Sequence, residues 1–334
     1  MTGTMELPTV SVVMTTYDRK DILPQVVAPL LEDTAATEVI VVVDGCRDGS
    51  HELLTELAAS EPRLKPIFIE NRGQTGAQQV GVETATGDVI LLMDDDVVAA
   101  PGLVAGHARH HADARSLVVV GYMPTRVPET KNAATFSTIL YAREYEQASR
   151  GYLDDPGSIL LGFWMGNFSL RRDDCLRIGL FNPSYDSICS YYHVDRDFGL
   201  RCLRGGLAAV HDRTLRGDHS HGRTLAAFLE DARRQGKGQV VLHGIHEDLI
   251  GPISLDSFSA DLARPVRAVV RAARRERVRV PLLALLRSCV RLAGALRLTS
   301  VQLPVAKVAR RIEQERGAIE ALSSAVPAPE PPGS

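Results

Sequence analysis

Four short apolar runs in the first hundred residues each lead into a polar cluster, and this repetition is what most constrains the fold. VSVVMTT starts at Val10, VIVVVD ends at Asp44, PIFIE starts at Pro66, and DVILLMD runs from Asp88 to Asp94. A fifth run, LVVVGY, occupies Leu117 to Tyr122. Between the first four lie stretches of helical character: Lys20 to Leu31 despite Pro24 and Pro29, Ser50 to Ala59, and Gln74 to Thr84. Near-continuous Val and Ile runs separated by helices read as parallel strands buried on both faces. The pattern predicts a doubly wound α/β sheet, which presents ligands at the C-terminal ends of its strands.

At 334 residues the chain is long enough for about two domains. Its 45% hydrophobic and 24% charged content excludes bulk disorder, collagen and coiled coil. The net charge of −3 is a sum of unlike parts. Leu262 to Arg316 holds 14 basic residues against three glutamates, a local +11, so the remainder carries −14. After Tyr122 the regularity weakens into a helix around Ser137–Ser149, a turn at LDDPGS, and a chemically dense block from Gly162 to Gly222. The closing PAPEPPGS has the composition of a disordered tail.

The first residues, MTGTMELPTVSVV, lack the basic n-region of a secretory signal. Cys46, Cys175, Cys189, Cys202 and Cys289 are odd in number and without paired spacing, which suits reduced thiols. The most apolar stretch, from Val280, is interrupted by Arg287, Arg291 and Arg297 and does not span a bilayer. The expectation is a cytoplasmic protein, peripheral at most to the inner face of the cell membrane.

Asp94, Asp95 and Asp96 directly follow a buried strand. Three adjacent carboxylates repel one another unless a cation neutralises them. Mg²⁺ and Mn²⁺ take oxygen ligands of this kind together with substrate phosphates. Alone, the triplet reads equally as a solvated acidic turn. It is accompanied by Thr15–Asp18, Asp44–Ser50 and Asn71–Gly81, each at a strand exit or on the loop entering a helix. Any one of these is ordinary turn chemistry; four on one sheet edge describe a nucleotide pocket.

In this order the residues resemble the family 2 glycosyltransferases, whose fold is GT-A. The likeness rests on Thr16-Tyr17-Asp18-Arg19, on the acidic turn Asp44-Gly45-Cys46-Arg47-Asp48-Gly49-Ser50, and on Asn71, Gly73, Ala77 and Gly81. Ala85, Gly87 and Asp88 follow, and the strand then delivers a D-x-D motif at Asp94 and Asp96. It covers roughly residues 8–240. The implied architecture is a catalytic unit over 1–245, with a nucleotide-sugar half at 8–122 and an acceptor half at 123–245. A basic helical extension would fill 246–322 and a tail 323–334.

The resemblance implies roles for individual residues. Thr15, Thr16, Tyr17, Asp44, Asn71, Gly73 and Gln78 would contact the donor, with Asp94 or Asp95 at its ribose. Asp96 would coordinate Mn²⁺ or Mg²⁺ on the diphosphate. Trp164, Gly166 and Asn167, in the segment Gly162 to Asp173, would face the sugar and acceptor; a lone tryptophan is also an ordinary core residue. Tyr191 to Cys202 is similar to the family's E-D-x-D segment, which makes Asp195 the general base and Asp197 a helix N-terminal anchor. His219 or His221 would complete the metal shell, His219 being favoured. Val43, Val194, Gln78 and Gln79 depart from the commonest family residues.

The implied reaction is metal-dependent, inverting transfer of a single sugar from a UDP-sugar to a hydroxyl on a lipid-linked, glycan or natural-product acceptor. The competing readings are a sugar-nucleotide pyrophosphorylase, which would carry a Gly-rich loop where this chain has TTYDR, and a degenerate transferase serving as an adaptor. Arg264, Arg267, Arg271 and Arg274 share one helical face. They suit either an anionic membrane or a helical appendage packed on the catalytic domain or forming a dimer contact, with the arginines paired to the acidic body; without interleaved aromatics they do not suit nucleic acid. His107, His110 and His111 also share a face and read as surface histidines.

Overall fold

The computed structural model describes residues 6–129, 133–180, 182–185 and 192–324. These fall into two compact units, drawn from Met1–Thr125, Tyr145–Asn182 and Phe198–Ser220, and from Arg126–Glu144, Pro183–Asp197 and His221–Ser334. The division is not collinear with the chain, and the boundary expected at residue 245 falls inside the second unit. The closing PAPEPPGS lies outside the described residues.

The first unit opens with the predicted alternation: β1 (Val10–Thr16), α1 (Leu23–Glu32), β2 (Ala36–Asp44), α2 (Ser50–Ser60), β3 (Leu64–Ile69), α3 (Gly73–Thr84) and β4 (Val89–Met93). Along the chain there follow β5 (Val97–Ala99), α4 (Leu103–His110), β6 (Leu117–Tyr122), α5 (Thr135–Asp154), β7 (Asn167–Arg171), α6 (Arg172–Ile178), α7 (Val194–Arg204) and β8 (Ala208–His219), with α5 up to Glu144 and α7 up to Asp197 counted in the second unit. Pro24 is accommodated because it sits in the first turn of α1, where its missing N–H is not needed. The strands run in the order β3-β2-β1-β4-β7-β6-β8-β5. β1 to β4 pair in parallel, whereas β7 is antiparallel to both β4 and β6.

Shape explains part of the glycine pattern. A Cβ on Gly81 would lie 2.5 Å from Val13 Cγ1, so only glycine lets α3 approach β1 this closely. Ala77, one turn earlier, is fully buried in the same contact layer. The core of this unit gathers Val13, Ile40, Ile90, Phe163, Phe168 and Phe198.

The second unit is helical. After α7 the chain forms α8 (Leu225–Ile245), α9 (Glu247–Ile250), α10 (Arg264–Ala272), α11 (Glu276–Ala295) and α12 (Thr299–Ser323). Its core joins Phe136, Ile139, Phe228, Leu283, Val290 and Ile312. Here α8 packs with α12, so residues assigned by sequence to the catalytic half share a core with the extension.

Candidate functional site

In the first unit three of the four polar clusters are held together by side chain to backbone bonds at the C-terminal strand ends. Asp18 Oδ1 accepts from the Arg47 amide at 2.7 Å, and Asp48 Oδ2 accepts from the Lys20 amide at 2.7 Å. These two bonds join the loops after β1 and β2. Asp44 Oδ1 accepts from the Arg72 amide at 2.7 Å, and Asn71 Nδ2 donates to the Asp44 carbonyl at 3.1 Å. The loop into α3 is thereby fixed to the end of β2. Asp44 is buried and Asn71 exposed. Gly73 takes a φ of +75° where α3 begins, a conformation natural to glycine. Thr15 is half-buried, Tyr17 exposed, and Gln78 buried on α3.

The acidic triplet is held from two sides. Arg19 Nε lies 3.9 Å from Asp95 Oδ2, and its Nη1 lies 3.5 Å from Asp96 Oδ2. Burial pushes the Asp95 carboxyl up to about 6 against the opposing pull of Arg19. The Thr16 hydroxyl beside it also favours the ionised form, without completing a hydrogen bond of ordinary geometry. On the other side His219 Nε2 stands 3.4 Å from Asp96 Oδ1. Strand register does this: β5 pairs antiparallel with β8, putting Val97 opposite His219, and the Ser220 amide donates to the Asp96 carbonyl at 2.9 Å. Thr125 Oγ1 lies 3.2 Å from His219 Nδ1, leaving Nε2 aimed at the carboxylate. His221, by contrast, belongs to the second unit and stacks on Tyr141 at 4.1 Å.

Gly166 closes the floor of this corner. Its carbonyl accepts from the Asp94 amide at 3.1 Å. With φ at +115°, a Cβ there would meet Asp94 Oδ2 at 2.6 Å. Trp164 is half-buried, edge-on to Tyr145 at 5.5 Å, and packs against the core. Asn167 differs from its expected place at the sugar. It is fully buried, and Nδ2 donates to the Leu215 carbonyl at 2.9 Å while Oδ1 faces His107 Nε2 at 2.9 Å. Its side chain therefore holds β7 to β8 and α4.

The same network corrects the reading of the histidines. His107 and His111 are buried, not on the surface, and both lie 2.8 Å from Ser169 Oγ. Burial drives His107 down to about 3 and His111 to about 4, so both are neutral at physiological pH. Only His110 reaches the exterior, where Nε2 pairs with Asp212 at 2.8 Å. Spacing alone placed the three on one face but did not say which face the sheet covers.

In the second unit Asp195 lies in the first turn of α7, its Oδ1 accepting from the Arg196 amide at 2.8 Å. Burial pushes its carboxyl up to about 6. Asp197 lies in the same first turn of α7; it is fully buried, and its Oδ1 lies 2.8 Å from His246 Nε2, which is equally buried. This pair escaped the sequence because its members stand 49 positions apart. Arg19 entered the sequence reading only as the last residue of the Thr16–Arg19 motif, and its pairing with Asp95 and Asp96 had no local signal.

Asp96 offers a carboxylate oxygen and His219 an imidazole nitrogen that converge, a donor set that suits a divalent cation such as Mn²⁺. Among the described residues a second convergent group is Asp18, Cys46 and Asp48; its two carboxylates are already accepting from loop amides.

A parallel α/β half with an acidic strand end, followed by strands of mixed direction, is the architecture of the GT-A glycosyltransferases. The model of glycosyl transferase family 2 matches residues 11–177; the chain belongs to this family and is a glycosyltransferase. It is 24% identical over 267 residues to the uncharacterized glycosyltransferase YfnE of Bacillus subtilis, spanning 67% of each chain. It is also 37% identical over 107 residues to an undecaprenyl-phosphate 4-deoxy-4-formamido-L-arabinose transferase of Pectobacterium atrosepticum, a match of 29% of this chain and 31% of that one. Among solved structures, the mannosyltransferase PcManGT from Pyrobaculum calidifontis, in complex with GDP-Man and Mn²⁺, superposes with a TM-score of 0.57 at 16% identity. That superposition covers 96% of this chain and 89% of the other.

Proposed function

We propose that the protein is a metal-dependent, inverting glycosyltransferase that moves one sugar from a UDP-sugar to the hydroxyl of an acceptor, and that this acceptor is lipid-linked. The observation that carries the reading is the convergence of Asp96 and His219 at 3.4 Å beside Arg19, at the strand ends where an α/β sheet receives its ligand. A divalent cation held by Asp96 and His219 would neutralise charge developing on the departing nucleoside diphosphate. The likeness to an undecaprenyl-phosphate transferase supports the lipid carrier of the acceptor, not the hydroxyl that attacks.

In this reading the loops after β1 and β2 bind the nucleoside. Tyr17 is exposed for stacking on the base, while Asp44 holds the walls of the pocket through Arg72. Asp94 and Asp95 orient the ribose. Trp164 and the backbone at Gly166 bound the sugar. Asp195 takes the proton of the attacking hydroxyl, a contribution of about 10²–10⁴-fold for a positioned base. Were the acceptor atom instead an already ionised phosphate oxygen, Asp195 would have no proton to take, and Asp195→Asn would leave transfer nearly intact.

A thermal-shift measurement tests the donor site. UDP with Mn²⁺ should raise the melting temperature more than either alone, because a ligand bound only by the folded state stabilises it. No shift with UDP and Mn²⁺ together would overturn the reading.

A further inference from the structure

Helix α11 carries an exposed face without parallel among the described residues. Val280, Leu285, Leu292 and Leu296 are 59, 60, 62 and 59% exposed, more than any other large hydrophobic side chain described. Leu285, Leu292 and Leu296 recur at spacings of seven and four, which makes one stripe along a helix. Arg277 and Arg291 are exposed on one flank of that stripe, about 80° and about 120° around the helix from it. The opposite side, with Leu283, Val290 and Ala293, is buried in the core of the second unit. The exposed leucines are thus additional to those that dock the helix. Contiguous apolar surface rimmed by charge marks an interaction surface.

Charge selects the occupant. Seven of the fourteen basic residues between Leu262 and Arg316 pair with carboxylates, such as Arg287 with Glu313 and Arg310 with Glu144. Among the described residues Arg264, Arg267, Arg275, Arg277, Arg291 and Arg297 make no ion pair. A second copy docked by two-fold symmetry would set this patch against itself, and like charges across an interface are costly. An anionic bilayer surface supplies both missing partners, an apolar layer for the leucines and phosphates for the arginines. A helix of 20 residues is about 30 Å long, but no described helix is long and apolar enough to cross a membrane.

We propose that α11 docks in the plane of an anionic lipid surface, with Leu285, Leu292 and Leu296 at the headgroup–acyl boundary and Arg277 and Arg291 on lipid phosphates. The surface deepens the lipid-linked acceptor reading and rests on it only for its purpose; docking itself requires no transfer.

The test is flotation of the full chain with phosphatidylcholine vesicles, with and without about one-third phosphatidylglycerol. The chain should float with the anionic vesicles and be released as salt is raised. The pair Leu285→Ser and Leu292→Ser should weaken partitioning on the order of tenfold, and so should Arg277→Gln with Arg291→Gln. A Leu292→Trp variant should show blue-shifted emission on adding anionic vesicles. Hydrolysis of UDP-sugars should be unchanged in all these variants, so a failed donor site is read separately from a failed surface. Flotation indifferent to phosphatidylglycerol or to the leucine pair, or an unshifted tryptophan, overturns the proposal. So does a dimer in light scattering that the leucine pair converts to monomer.

Discussion

A methyl group at Gly166 would sit 2.6 Å from Asp94 Oδ2 on a backbone with φ at +115°. Both the contact and the torsion exclude other residues. Gly166→Ala should therefore destabilise the protein by about 1–3 kcal/mol and reduce donor hydrolysis by displacing Asp94; urea unfolding and UDP release measure the two effects. Asp195 poses a different problem, since burial holds its carboxyl near 6 instead of near 3.8. A base must be ionised, so transfer should fall as pH drops through about 6. The stability effect has the opposite sense. Above pH 3.8 the unfolded carboxyl ionises before the folded one, so the group destabilises the fold as pH rises toward 6 and beyond. Asp195→Asn should thus melt higher than wild type at pH 8, converge with it near pH 4, and lose about 10²–10⁴-fold in transfer. Equal melting at pH 8 would contradict the burial of that charge.

Elements differ in how much of them the sequence discloses. β1, β2, β4 and β6 are legible because a strand buried on both faces must be apolar throughout, and Leu117–Tyr122 is found where expected. β8, AAVHDRTLRGDH, is polar and reads as no strand. It forms because β6 and β5 pair with it, and that long-range register delivers His219 to Asp96. The grouping of the acidic triplet with the loops around it at one strand edge was legible; the burial of Asn167 was not, because nothing local marks its bonds to His107 and Leu215. Helix packing was equally hidden. On α8 a Cβ at Gly236 would lie 1.9 Å from the Gln314 carbonyl, and one at Gly317 on α12 would lie 1.9 Å from the Arg233 carbonyl. Two mid-helix glycines each weaken a helix by roughly 0.5–1 kcal/mol, and here they permit backbone contact. Gly236→Ala, favourable by propensity alone, should instead lower stability by about 1–3 kcal/mol or more through overpacking. A higher urea midpoint in that variant would contradict the close approach.

Over the whole molecule, the near-neutral sum of charge resolves into separate tasks. The carboxylates of the acidic part include Asp94, Asp95 and Asp96 at one strand end and Asp195 at the start of α7. The arginines of the last three helices divide between ion pairs that staple the second unit, such as Arg274 with Glu315 and Arg287 with Glu313, and an unpaired set around α11. Only the first of these tasks bears on chemistry, and its test is direct. UDP release from a panel of UDP-sugars should be measured with Mn²⁺ and after chelation, for the wild type and for Asp96→Asn. The account predicts turnover of at least one donor, abolished by chelator and lowered about 10²-fold or more by Asp96→Asn. Turnover indifferent to both chelation and Asp96→Asn would contradict it.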